Sequence, residues 1–468
     1  MWSFIVYLPY FFVNNYNGSP ENLYWFSWAG SIFVIFVTLT NIAHQRPKDL
    51  PFISQFFRPY IFAQLIFAFY HCIATVFYYF SLQGYFFFEK ISPNSNINDL
   101  QLVALCQSYC LLAHTAFAHG TILQTSKYGK DKVNNATQPK ELINVDLFFK
   151  ISIFCIVSQF LIKQLGFLSA ILAVVYLAQN TAIVLTLIYA IREKRKLLLA
   201  TTLFIFNLII LLTSGLKEGV IVLAILLFFN FFPKNKIITL TVALFIGNLM
   251  IYLPQYTINV RQVVWYGGGT LQEAFDKTYQ EITTTDEIEI EKVRKNNWSF
   301  LIHRISEIDA LKTYVVYIDG QKGYDGTEIL KHGILAVIPS FIRTDGLSTD
   351  KTAQERAYQA GALDRFVGEA GTSAKPAMVA DCYMVGGRFA IFIICFLSGY
   401  MATFFSVLCE KYFGGYTIGT VIIFNACFYI FLKGHCMENL FGSMAYGVLT
   451  VFVLHYFNKQ YNIFGNQE

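Results

Sequence analysis

Apolar residues in this chain gather into long blocks, rather than into the alternating or one-sided patterns of a soluble domain. Twelve blocks stand out, near residues 2–14, 22–43, 59–82, 99–120, 145–162, 166–190, 197–213, 218–232, 237–254, 384–408, 415–432 and 439–457. Many have the roughly 18 to 25 residues that cross a bilayer as a helix. The pattern predicts an all-α polytopic membrane protein with about 12 transmembrane helices. Three regions follow in order: a bundle of about nine spans over 1–254, a polar segment over 255–383, and about three more spans over 384–468. The first block, MWSFIVYLPYFFV, has no basic stretch and no small-residue cleavage site. It reads as a retained short span or an interfacial helix, not a signal peptide.

Lysines and arginines orient the spans. HQRPKDLPFISQFFR carries Arg46, Lys48 and Arg58, and the loop Thr121–Asn144 carries Lys127, Lys130, Lys132 and Lys140. REKRK at Arg192–Lys196 and PKNK at Pro233–Lys236 are further short basic loops. With the spans above, all four fall on one side, which the positive-inside rule makes cytoplasmic. The long segment Gln255–Ala380 then faces outward, as do the turns TSGLKEG and KGHCMEN. Within it, WSFLIHRISEIDAL places Trp298, Leu301, Ile302, Ile305, Ile308 and Leu311 at helical spacing, which predicts an amphipathic helix. ILAVIPSFIR further on is short and apolar, suited to the interface or to a shielded re-entrant segment.

Composition narrows the class. The 468 residues are 55% hydrophobic and 14% charged, well short of the roughly one quarter charged in soluble domains. A formal net charge of +5, with no basic run longer than REKRK, gives no reason to expect a nucleic-acid partner. The nine cysteines lie mostly within apolar blocks, where thiols act as small buried hydrophobes. Their spacing suggests neither a disulfide frame nor a zinc set, so no metal and no cofactor are expected.

Ionisable groups at the edge of lipid call for explanation. Lys217 and Glu218 occupy the TSGLKEG turn, where any short loop must be polar. Arg261 follows a span in LPQYTINVRQVV and could simply snorkel to head groups. His303 and Arg304 could mark the polar face of the amphipathic helix. Arg356 and Arg365 have acidic neighbours in Glu355 and Asp364, as solvated ion pairs do. Asp381 could cap the helix that follows it. Taken singly these explanations suffice, but they leave an excess of arginine, with Arg343 among it, in one outer segment beside spans. Arginine forks suit phosphate and stay charged when partly desolvated. Such a cap fits a diphosphate-linked lipid carrier, with Asp381, Glu218 or His303 free to take a proton from an acceptor hydroxyl.

The order of TSGLKEGVIVLAILLFF, NVRQVV, FLIHRISEIDAL, ILAVIPSFIRTD and TSAKPAMVADCYMVGGRFAIFI resembles that of the Wzy-type O-antigen and exopolysaccharide repeat-unit polymerases. These are GT-C-like membrane glycosyltransferases related to the O-antigen ligases. The resemblance covers about Thr213 to Ile394. It implies polymerisation of polyprenyl-diphosphate-linked oligosaccharide at the periplasmic face of a bacterial inner membrane, without a metal. A chain-length regulator and a flippase are the implied partners besides the lipid. By the same resemblance Arg261 and Arg304 contact the carrier diphosphate, and Lys217 matches a basic turn residue that is often arginine. Asp381 stands where relatives carry glutamate in a pattern like E-x-Y-x-x-G-G, and Arg343 ends a segment where relatives have lysine. An O-antigen ligase, using the same donor with lipid A core as acceptor, and a polysaccharide flippase are the alternatives. A flippase predicts charges near mid-span and repeat symmetry, whereas the charges here lie mainly at the outer edge.

Overall fold

The computed structural model describes residues 3–40, 42–43, 58–87, 89–91, 97–133, 145–164, 169–213, 217–231, 235–284, 286–321, 326–338, 349–365, 375–413, 416–428 and 436–461. Among the described residues the chain is helical throughout, apart from a small hairpin that pairs Tyr85–Phe86 with Glu89–Lys90. Each apolar block is mainly helical where it is described. Among the described residues six helices are long and apolar enough to cross a membrane: Pro20–Leu39, Pro59–Leu82, Asn98–Lys127, Val145–Ile162, Met378–Tyr412 and Met437–Gln460. Ser3–Asn14, Leu197–Leu211 and Thr417–Phe428 are shorter apolar helices. Phe154, Phe160, Leu198 and Phe389 are largely exposed on these elements, an arrangement that acyl chains tolerate and water does not.

Element ends follow local chemistry. Ser19 accepts a hydrogen bond from the Asn22 amide at 3.3 Å, and Pro20 supplies the preset φ of a first helical residue. The helix Ile97–Val133 runs well past the block at 99–120, taking in most of the lysines that the sequence places in a loop. The helix Met378–Tyr412 starts six residues before the expected span and takes Asp381 into its first turn.

The chain divides into two compact units, along a line other than the sequential one expected from the pattern. The first comprises Met1–Gln138, Leu301–Lys411 and Ala426–Val453; the second comprises Pro139–Phe300, Tyr412–Asn425 and Leu454–Glu468. In the first unit, the helices Ile97–Val133 and Met378–Tyr412 approach backbone to backbone. A Cβ at Gly399 would strike the Phe117 carbonyl, and one at Gly120 would strike that of Phe396. Small residues allow this close approach where lipid offers no other drive for helices to associate.

One buried ion pair fixes the polarity of the first unit. The Arg58 fork donates to both Glu410 oxygens, Nε at 3.1 Å and Nη2 at 3.0 Å. This joins the start of the Pro59–Leu82 helix to the end of Met378–Tyr412, so the two run antiparallel. At the other end of Pro59–Leu82, roughly 30 Å away by helical rise, Tyr78 meets Asp309 and Lys312. The segment Ile308–Gly320 therefore sits at the end of the spans opposite Arg58.

In the second unit, Val145–Gln164 packs on Ser169–Glu193, with the Phe148 and Tyr189 rings stacked at 5.7 Å. Buried amides form a ladder, Gln179 to Asn207 at 2.9 Å and Asn207 to Asn180 at 3.2 Å. Glu281 is buried and accepts from Gln255 and Asn259, both at 2.5 Å, one turn before Arg261. Glu410→Gln removes the buried charge that faces Arg58 and should destabilise the protein by about 3–5 kcal/mol. Replacing both partners with Met should recover most of that loss, as read from thermal unfolding in detergent.

Candidate functional site

Two clusters of charge lie in the first unit, and they differ in access. The first is built where the helix Glu287–Phe300 passes into the π-helical turn Leu301–Ile305. Such wide turns recur at functional sites because they loosen the backbone ladder and re-aim side chains. Ile302, Ile305, Ile308 and Leu311 face inward, as their spacing predicts. That leaves His303 turned outward, with its side chain 51% exposed. After a short break the helix Ile308–Gly320 begins, with Asp309 in its first turn, where the helix dipole favours an anion.

Asp309 is the hub of this cluster. Its Oδ1 accepts from the Tyr78 hydroxyl at 2.6 Å and lies 3.3 Å from Lys312 Nζ. Lys312 also donates to the Tyr78 hydroxyl at 2.8 Å and lies 3.6 Å from Asp99. The remaining oxygen, Oδ2, sits 3.2 Å from His303 Nδ1. Burial favours the neutral acid, but hydrogen bonds from His303 and Tyr78 and the charge of Lys312 outweigh it and hold Asp309 at about 2. Burial likewise opposes the charge on Lys312, yet Tyr78, Asp309 and Asp99 raise its pKa. An ionised carboxylate only accepts, so Nδ1 of His303 donates to Asp309, and Nε2 is the nitrogen of this half-exposed ring left for another partner.

The second cluster is closed. Arg356, from the helix Thr349–Gln359, reaches both oxygens of Glu438, Nη1 at 2.5 Å and Nη2 at 2.7 Å. Nη2 also meets Asp381 Oδ2 at 3.1 Å, and the Met437 amide donates to the same oxygen at 2.7 Å. Burial opposes the Arg356 charge, but Asp381 and Glu438 overcome it and raise its pKa. Asp381, Cys436 and Glu438 are all wholly buried. Asp381 caps a helix, though not its own: it satisfies the start of Met437–Tyr461.

These positions revise several sequence expectations. Asp381 presents no surface to an acceptor, so the outer-edge base expected there is instead a buried ion-pair partner. Arg356 is occupied by two carboxylates and is not open to a diphosphate. Arg365 is exposed, pairs with Glu355 at 2.7 Å and covers the Tyr358 ring, as a surface residue does. His303 keeps an accessible nitrogen. Arg261 opens the π-helical turn Arg261–Tyr266 of the second unit. For Arg304, Lys217 and Glu218 only the backbone is described: the first lies in the turn Leu301–Ile305, the others at the start of Lys217–Phe231. Arg343 lies outside the described residues.

The structure adds residues that sequence reasoning missed. Tyr78, Asp99, Asp309, Lys312 and Glu438 sit in four separate stretches of chain and carry no motif. At the break in the helix Met378–Tyr412, where Gly387 has φ +59, Arg388 donates to Asn14 at 2.7 Å and lies over the Tyr109 ring. Tyr383 stacks on Tyr109 and donates to Asp319 at 2.9 Å.

Residues 8–466 match the model of a family described as a domain of unknown function, DUF8712. The chain belongs to that family. No curated protein and no solved structure matches it.

Asp309 has a depressed pKa, so its stabilising contribution is present above the unfolded value and lost as pH falls through about 2. Between pH 7 and 4 the cluster should hold, with the Asp309 carboxyl ionised throughout by carbon NMR. Tyr78→Phe removes one donor and should move its titration up toward the ordinary 3.8.

Proposed function

We propose that the chain is a membrane glycosyltransferase that polymerises polyprenyl-diphosphate-linked oligosaccharide repeat units. In this reading about 12 helices span the bacterial inner membrane, and the segment Gln255–Ala380 forms a helical cap on the periplasmic side. The His303 cluster lies at the end of the Pro59–Leu82 helix opposite Arg58, a residue that the sequence pattern assigns to a basic cytoplasmic loop, which supports an outward-facing site.

The observation that carries the proposal is the exposed His303 imidazole, oriented through Nδ1 by a carboxylate that Tyr78 and Lys312 lock in place. His303 Nε2 takes the proton of an acceptor sugar hydroxyl as the oxygen attacks the anomeric carbon of the donor. The bond between that carbon and the phosphate oxygen breaks, and the diphosphate leaves on its carrier with the bonding pair. Arg304, beside the base in the same turn, is one cation for this departing charge. Arg261 and Arg343 are further cations assigned by the family resemblance. Arginines that meet charge as it develops lower the barrier without a metal. Asp309 neither gives nor takes a proton; it holds the ring and balances the imidazolium.

His303→Asn should cut chain elongation by about 10²–10⁴-fold, the usual contribution of a general base. Asp309→Asn should have a smaller effect of the same sign, and Arg365→Ala should elongate as wild type does. A sugar-ladder gel from complemented deletion strains reads all three. Long chains from the His303→Asn strain would refute the assignment, while long chains stranded on the carrier in the deletion strain would indicate a ligase.

A further inference from the structure

We propose that Asp381, Cys436 and Glu438 form a binding site for one divalent transition-metal ion of the zinc class. The three side chains come from the starts of two helices 55 residues apart in sequence, and each offers a donor atom within 4.8 Å of the other two. All three are wholly buried. Oδ1 of Asp381 has no hydrogen-bond partner among the described residues, although Oδ2 of the same carboxylate has two. A buried carboxylate oxygen without a partner is costly, and a metal ion is one group that satisfies it.

Charge counting points the same way. With both carboxylates ionised, two face one guanidinium, an excess of one negative charge that a dry setting disfavours. A divalent ion bound by a deprotonated Cys436 brings the sum of Arg356, Asp381, Glu438, thiolate and metal to zero. The thiol sulfur already lies within 4.8 Å of a carboxylate oxygen of Glu438. Binding replaces the S–H bond with an S–metal bond and releases that proton to solvent. One thiolate with two carboxylates suits zinc, which accepts sulfur and oxygen donors alike and leaves a fourth position to water.

Arg356 does not block the set. Its fork covers Oδ2 of Asp381 and one lone pair on each Glu438 oxygen, and the Thr352 hydroxyl donates to Glu438 Oε1 as well, leaving Oδ1, the thiol and the second lone pair of Glu438 Oε2. It takes the place of the outer partner that usually holds ligating carboxylates in position. The ion would tie the start of Met378–Tyr412 to the start of Met437–Tyr461. It takes no part in the glycosyl transfer proposed above, and this inference does not rest on that reading.

Full-length protein purified in detergent without chelator should carry about one zinc per chain by elemental analysis, and Cys436→Ser should carry at least about tenfold less. Chelator should lower the thermal midpoint of wild type and leave that of Cys436→Ser unchanged. Stripped wild type titrated with cobalt should develop a thiolate-to-cobalt charge-transfer band in the near ultraviolet, lost in Cys436→Ser. Equal zinc in wild type and variant, or stripped wild type that gives no such band, overturns the site. The cobalt spectrum of wild type decides the matter even if the variant fails to fold.

Discussion

Inside lipid no water is available to satisfy a polar group, so every buried charge in this chain has to find its counterpart within the chain. That requirement explains why Arg58 meets Glu410 and why Arg356 is shared by Glu438 and Asp381. Each pair joins elements distant in sequence. Such pairs add little net stability over well-packed apolar side chains, but they make misassembly expensive. A helix shifted by one turn, about 5.4 Å, would leave a guanidinium and a carboxylate unpaired at once.

The same requirement separates what holds the fold from what is available for chemistry. The Arg356 cluster spends its donors and acceptors on itself. In the His303 cluster, Tyr78, Lys312, Asp99 and Asp309 satisfy one another and leave a single ring nitrogen unspent. The proposed role of base calls for that combination, fixed on one side by the Asp309 carboxylate and half exposed on the other. His303 lies in the π-helical turn Leu301–Ile305, whose Ile302 and Ile305 are buried.

Helices were legible in the sequence because apolar periodicity is local, and every block that reads as lipid-compatible is mainly helical where it is described. Helix ends were less so. The run from Thr121 to Val133 is polar enough to read as a loop, yet it has no proline, and continuing the helix costs little. Partnerships were not legible. Asp381 beside arginine-rich sequence suggested an outward-facing carboxylate, whereas its partners are Arg356, 25 residues earlier, and the Met437 amide, 56 residues later. Nothing local encodes either contact. Asp309 lay six residues from His303 in plain view, but its importance depends on Tyr78 and Lys312 converging on it, and Tyr78 is 231 residues away.

The stretch DCYMVGGR now has a physical account that needs no catalytic carboxylate. Asp381 seats the helix carrying Arg356 and the start of the last span, and the left-handed Gly387 breaks the helix so that Arg388 reaches Asn14. Tyr383 donates to Asp319, which lies on the helix Ile308–Gly320 that also carries Asp309 and Lys312. A rigid helix transmits position along its length, so fixing Asp319 at one end restrains Asp309 at the other, and Asp309 in turn sets the His303 ring. The stretch thus bears on the His303 cluster through the backbone that it anchors.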